Sequence, residues 1–347
     1  MRIIDMHCDT ICEILDRRKK GEEVSLRNNN LMIDLNRMKQ GNYSVQNFAL
    51  FVEQEKGVSS FDKVKELLAV FQGEMETNRE LISQVTTTDE ILENERAGKL
   101  SALLTVEGGE ACEGSIENLH YLYRYGVRMM TLTWNFPNEL GYSNFSEEKD
   151  CYTPDTTHGL TSTGIQFVEE MERLNIIIDV SHLSDAGFYD VLHHTKKPFV
   201  ASHSNAREVC PWVRNLTDDM IKKLAERGGV TGLNYCGDFL RDPFSDEERA
   251  EIKEKGLSAF AGKRPQPDSA ATLEDIARHA RHIVNVGGIE CLGLGSDYDG
   301  IPSYAGCPKV DKMTELADAL VKAGFHESEV DKIFYGNVFR LYREVLG

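Results

Sequence analysis

The 347-residue chain carries 57 acidic against 39 basic side chains, a formal charge of −18 and a pI near 5.0. Such a surface field repels phosphate backbones and anionic membranes, so nucleic acid and membrane are both excluded as expected partners. No stretch reaches the roughly eighteen uninterrupted apolar residues of a membrane span, and MRIIDMHCDT at the start lacks the apolar run of a signal peptide, so the expected location is cytoplasmic.

Taken in chain order, eight short β-rich runs recur, at 2–7, 44–51, 100–106, 127–133, 176–181, 198–202, 230–234 and 291–296. Six of them end in a polar residue, the run 100–106 is followed directly by Glu107, and each is followed by a helical stretch. The runs IIID, FVAS, VTGLN and CLGLGS are near-continuously apolar, as strands buried on both faces of a parallel sheet are. Between them lie amphipathic segments such as 159–174, where Ile165, Val168, Met171 and Leu174 recur at helical spacing behind a Ser/Thr-rich start. Strand then helix, eight times over, predicts an α/β chain folded as a (β/α)8 TIM barrel. A doubly wound open sheet would bring a glycine-rich phosphate loop after an early strand, and the sequence has none. No linker or low-complexity tract divides the chain, so residues 1–347 are expected to form one domain. The charged segment 238–269 after the seventh strand breaks the rhythm; Ser245 and Glu248 are spaced there as a capping box, and the segment is expected to overhang the catalytic face as a lid or partner surface.

Barrel enzymes place their chemistry at the C-terminal ends of strands. Those ends read His7-Cys8-Asp9, Glu107 before Gly108-Gly109, Ser181-His182, Ser202-His203 and Ser296-Asp297. Imidazoles and carboxylates on separate strands converge only if the sheet closes, and a borderline cation such as Zn²⁺ accepts that mixture of nitrogen and oxygen. His7 and Asp9, two apart on an extended segment, share a face and can grip one ion. Glu107 has two oxygens with which to bridge two ions, and His182 and His203 would complete the shell of the second. Cys8, between two candidate ligands, should point away from both. Each of these residues taken alone reads as a packed or solvated side chain; together, in order, at strand ends, they read as a metal centre. His120, His193, His194, His279, His282 and His326 fall in or beside predicted helices and are assigned to packing or exposure, and His158 lies in a loop.

The runs DMHCDT, TVEGGEA, HGLTSTGIQFVEEMERLNIIIDVSHLSD, PFVASHSNAREV, VRNLTDDM, LGLGSDYDG and GNVFRLYREVL span nearly the whole chain. Together they resemble the renal or membrane dipeptidases (peptidase family M19) of the amidohydrolase superfamily. The resemblance implies a zinc-dependent dipeptidase with two Zn²⁺ ions, other divalent transition metals being able to occupy the same ligands. His7 and Asp9 would hold one ion, His182 and His203 the other, and Glu107 would bridge them. Asp297 becomes the catalytic acid/base, taking a proton from a hydroxide-forming water between the metals and passing it to the departing amine. Arg214 matches the arginine that holds the substrate's terminal carboxylate; without the family it would read as a surface residue capping the next helix. The resemblance also suggests a homodimer. One departure stands out: where many relatives have a histidine that polarises the scissile carbonyl, this chain reads Leu132-Thr133-Trp134-Asn135, which puts an indole N–H donor there and makes Trp134 and Asn135 the expected substrate contacts. The competing readings are a barrel that hydrolyses another small amide, lactone or ester, and a catalytically impaired metal-binding protein.

Overall fold

The computed structural model describes residues 1–146, 151–241, 247, 271–302 and 306–347. Its strands are β1 (Ile3–Asp5), β2 (Tyr43–Phe51), β3 (Ile82–Val85), β4 (Leu100–Glu107), β5 (Met129–Thr131), β6 (Phe145–Ser146), β7 (Cys151–Tyr152), β8 (Ile177–Asp179), β9 (Val200–Ala201), β10 (Val230–Leu233) and β11 (Leu292–Leu294). Strands β1, β2, β4, β5, β8, β9, β10 and β11 pair in that order, each parallel to the next. β11 then returns to β1 through Leu294 and Asp5, closing the (β/α)8 barrel that the sequence predicts.

The barrel is filled rather than hollow. Ile4, Val45, Leu103, Met129, Ile177, Val200 and Val230, from the early parts of the strands, cluster with Val338, Leu341 and Val345 of the C-terminal helix Asn337–Val345. That helix plugs the N-terminal end, and its Tyr342 hydroxyl donates to Asn47 Oδ1 inside the barrel (2.8 Å). A larger apolar layer lies between the strands and the surrounding helices. One of these is Ser162–Arg173, close to the predicted 159–174; Thr161 caps it by accepting the Gly164 N–H, and Phe167, Val168 and Met171 are its buried stripe. Each such side chain contributes about 1.5–3 kcal/mol by leaving water. No helix among the described residues is long and apolar enough to cross a membrane.

Three strands are not foreseen in the sequence: the antiparallel pair β6 and β7, and β3. β5 pairs only with Thr105–Glu107 of β4, which leaves the edge at Leu100–Leu103 open, and β3 fills it. Its sequence, ISQV, is short and half polar, because it covers an edge instead of lining the barrel. Of the charged segment 238–269, Asp238–Leu240 belong to a short helix, Gly237–Leu240. The Ser245/Glu248 capping box and most of the expected lid lie outside the described residues.

His279 shows how one assigned core histidine is used. Fully buried on the helix Leu273–Gly287, its Nδ1 accepts the Ala206 N–H (3.1 Å), and its Nε2–H donates to the Leu240 carbonyl (2.9 Å). Burial lowers its pKa from 6.5 to about 4. The unfolded chain therefore takes up a proton below about 6.5 that the folded chain refuses until about 4, so this group's contribution is complete above 6.5 and fades as pH falls. Stability of wild type to urea should fall between pH 7 and pH 5, and His279→Gln should flatten that slope; identical slopes would remove His279 as a cause.

Candidate metal centre

The five predicted ligands meet at the C-terminal mouth of the barrel. His7 Nε2 lies 3.3 Å from Asp9 Oδ2, 3.4 Å from Glu107 Oε2 and 3.8 Å from Asp297 Oδ1. The other oxygen of Glu107, Oε1, is 3.0 Å from His182 Nε2 and 3.5 Å from His203 Nε2. One carboxylate thus faces two separate sets of donors, and His7, Glu107 and His203, or His7, Asp9 and Asp297, come close enough to share an ion. Cys8 turns outward as expected, its thiol donating to the Asn47 carbonyl on β2 (3.3 Å).

The protonation pattern gives a test of fit to a cation. His182 Nδ1 bonds Asn135 Oδ1 (2.8 Å), an acceptor, so the ring proton sits on Nδ1. Ser202 gives its one hydroxyl proton to Asp179 Oδ2 (2.5 Å) and so must accept from His203 Nδ1 (2.7 Å). Burial, with the charges of Arg214 and His7 adding to it, holds both imidazoles well below their ordinary pKa and therefore neutral. Two bare Nε2 lone pairs then face each other at 3.0 Å, with Glu107 Oε1 beside them. Lone pairs so arranged repel unless a cation sits among them, and a single proton can relieve only one of the three contacts. Around His7 the field has the same sense: burial opposes its charge, yet Glu107 and Asp9 hold its imidazole well above the ordinary value. His7 Nε2 and Asp9 Oδ1 are buried without a hydrogen-bond partner among the described residues. The residues present fit divalent ions with mixed nitrogen and oxygen ligands.

Two identical tripeptides build the supports. β1 and β8 are both Ile-Ile-Asp. Asp5 Oδ1 accepts the N–H groups of His7 (3.2 Å) and Ser296 (2.9 Å), and Asp179 Oδ1 accepts those of Ser181 (3.0 Å) and Ser202 (2.9 Å). Each carboxylate stitches a ligand-bearing turn to the next ligand-bearing strand. His182 and Asp297 themselves adopt left-handed backbone, φ 68° and 65°, strain of the sort that collects at functional sites. Asp297 is fixed by Asn234 Nδ2 on its Oδ2 (2.9 Å). A Cβ at Gly300 would stand 2.2 Å from Asp9 Oδ2 and 2.5 Å from Asp297 Oδ1 and so would push both carboxylates out of place. None of Asp5, Asp179, Asn234 or Gly300 was singled out by its sequence; the repeated IID before each turn is the one signal that could have found two of them.

Arg214 is not the surface cap that its sequence alone suggests. It is 7% exposed, and among the described residues its Nη1 and Nη2 make only long bonds to Ser204 Oγ (3.3 Å) and the His203 carbonyl (3.4 Å), while its Nε has no partner. Thr217 caps the following helix instead. Arg207 holds the loop: its guanidinium clamps Asp185 with bonds of 2.7 and 2.8 Å and donates to the Val213 and Asn215 carbonyls. Trp134 stands at the rim, packed on Phe51 (4.9 Å) with the His182 ring 6.2 Å away. Asn135, expected against substrate, has its amide oxygen on His182 and is thereby a support of that candidate ligand.

Comparison with known proteins agrees in every region. The profile of the membrane dipeptidase family (peptidase family M19) matches residues 1–346. An uncharacterized dipeptidase of Schizosaccharomyces pombe is 30% identical over 324 residues, which cover 90% of this chain and 71% of the relative. Among solved structures, a metallo peptidase of family M19 called dipeptidase AC superposes with a TM-score of 0.85 at 27% identity, covering 100% of this chain and 99% of that one. A metallo peptidase from Rhodobacter sphaeroides, liganded with a phosphinate mimic of L-Ala-D-Ala, gives 0.85 at 26% identity, with 99% of both chains covered.

Proposed function

The chain belongs to the membrane dipeptidase family, peptidase family M19, and is a metal-dependent dipeptidase; we propose that it cleaves dipeptides with two zinc ions held at the barrel mouth. His7 and Asp9 would hold one and His182 and His203 the other, with Glu107 shared between the two. The observation that carries this reading is the division of Glu107, with Oε2 toward His7 and Oε1 toward two neutral imidazoles whose lone pairs oppose each other. Bound there, divalent ions polarise the scissile carbonyl and bring the pKa of water from about 16 to near 7.

The chain's own groups do the rest. Asp297, oriented by Asn234, takes the proton of the attacking water on a carboxylate oxygen and delivers it to the departing amine. Arg214 receives the substrate's terminal carboxylate; a buried guanidinium without an ion-pair partner in contact is costly, and a bidentate carboxylate repairs it. Trp134 borders the substrate with its indole. The free thiols of Cys8, Cys12, Cys112, Cys236, Cys291 and Cys307 support a reducing location, the cytoplasm.

Metal analysis of the purified protein beside a dipeptide hydrolysis screen, on native and metal-stripped samples, tests the reading. About two equivalents of zinc and metal-dependent cleavage are expected; one equivalent at saturation would overturn the binuclear assignment. The relay behind His203 gives a second check. Ser202→Ala removes the acceptor that fixes its tautomer, and zinc affinity at the His182/His203 side should fall by about 10–100-fold in a chelator competition. Unchanged affinity would reduce Ser202 to packing.

A further inference from the structure

From His182 to Arg214 the rim of the barrel mouth is aromatic. Beyond the Trp134 ring, 6.2 Å from His182, contacts run unbroken through Phe136 (5.7 Å), Phe145 (5.0 Å), Tyr152 (5.1 Å), Trp212 (5.7 Å) and Phe239 (6.4 Å). The arc ends with the Arg214 guanidinium 5.5 Å from the Phe239 ring centre. Its members come from four separate places: the turn after β5, the β6–β7 hairpin, the loop before the helix Asp218–Glu226, and the short helix Gly237–Leu240. None is fully buried, and Phe136 is 37% exposed. Rings of this size give their full apolar energy only when covered, so a continuous, half-open aromatic arc beside a polar site has the character of a ligand-facing wall.

The two ends of the arc give it a meaning. A dipeptide bound as proposed above is fixed at its scissile carbonyl, over the metal centre, and at its terminal carboxylate, on Arg214. The part between those two points is the C-terminal residue, and its side chain is the one that meets the arc. We propose that the arc is a side-chain subsite, selecting dipeptides whose C-terminal residue is large and apolar, aromatic above all, over those ending in a small or charged residue. The inference rests on the reading of the metal centre and Arg214.

The test is steady-state kinetics of the metal-loaded full chain on Ala-Phe, Ala-Leu, Ala-Ala, Ala-Glu and Phe-Ala. Ala-Phe and Ala-Leu should exceed Ala-Ala and Ala-Glu in kcat/KM by about tenfold or more, chiefly through KM, as apolar pockets discriminate, while Phe-Ala gains little. Phe145→Ala and the milder Trp212→Leu should each lower kcat/KM for Ala-Phe several times more than for Ala-Ala. If none of the dipeptides is cleaved, the parent reading fails and takes the subsite with it. If they are cleaved without C-terminal preference, or the preference follows Phe-Ala, or both variants lose all substrates in equal proportion, the subsite alone is overturned and the aromatic arc is only a staple for the hairpin.

Discussion

Asp297→Asn is expected to retain close to the wild-type metal content while kcat falls by about 10²–10⁴-fold, the range that a positioned general acid–base contributes. The backbone should not object, because Asp297 is left-handed at φ 65° and asparagine tolerates that region as aspartate does. Orientation should survive as well. Asn234 Nδ2 donates to Asp297 Oδ2, and Asn234 is itself pinned by the Cys236 N–H on its Oδ1 (2.6 Å) and by its own donation to the His203 carbonyl (3.2 Å). Facing that donor, the new amide must turn its oxygen to Asn234 and its NH2 into the site, which puts a group with no proton affinity where the water's proton has to go. Metal content and kcat together decide the role. A near-normal rate would remove Asp297 from proton transfer. Loss of an ion would make it a ligand, which its proximity to His7 and Asp9 would then explain.

What was legible in the sequence follows from where each signal is local. Eight strands could be read because each is buried on both faces and so is apolar along its length; β2 and β4 are buried almost throughout. Their ends were read too long. The runs 176–181 and 198–202 shrink to Ile177–Asp179 and Val200–Ala201, since the polar residues leave the ladder to turn inward, His182 through a left-handed backbone. Candidate ligands were legible because each directly follows such a run. Their supports were not, because what defines them is distance along the chain. Asp5 meets Ser296 across 291 positions, Asp179 meets Ser202 across 23, and Arg207 meets Asp185 across 22. A window around Asp179 shows only a strand-end carboxylate, and just its match to the Ile-Ile-Asp of β1 hints at the anchor of an imidazole. Arg214 is the same case from the other side: locally it precedes a helix and reads as its cap, and only the folded loop shows it buried.

Glu107→Gln should have the larger consequence: metal content falling from about two equivalents to one or fewer, and dipeptide hydrolysis reduced by at least about 10³-fold, since both proposed metal half-sites share this one side chain. The amide offers one acceptor and one NH2 in place of two acceptors. If the NH2 takes the Oε1 position it can donate to the bare Nε2 of His182 or His203, which satisfies the pair and expels the cation; if it takes the Oε2 position it removes the oxygen that faces His7. Either half-site loses an oxygen donor. Burial pushes the Glu107 carboxyl up to about 7 while the charge of His7 pulls the other way, so in the metal-free proteins the relief of an uncharged amide is set against the lost pairing with His7, and the two stripped proteins should melt close together. Adding zinc should then raise the melting temperature of wild type far more, because a ligand stabilises only the fold that binds it. A variant that binds two ions would show that the bridge lies elsewhere.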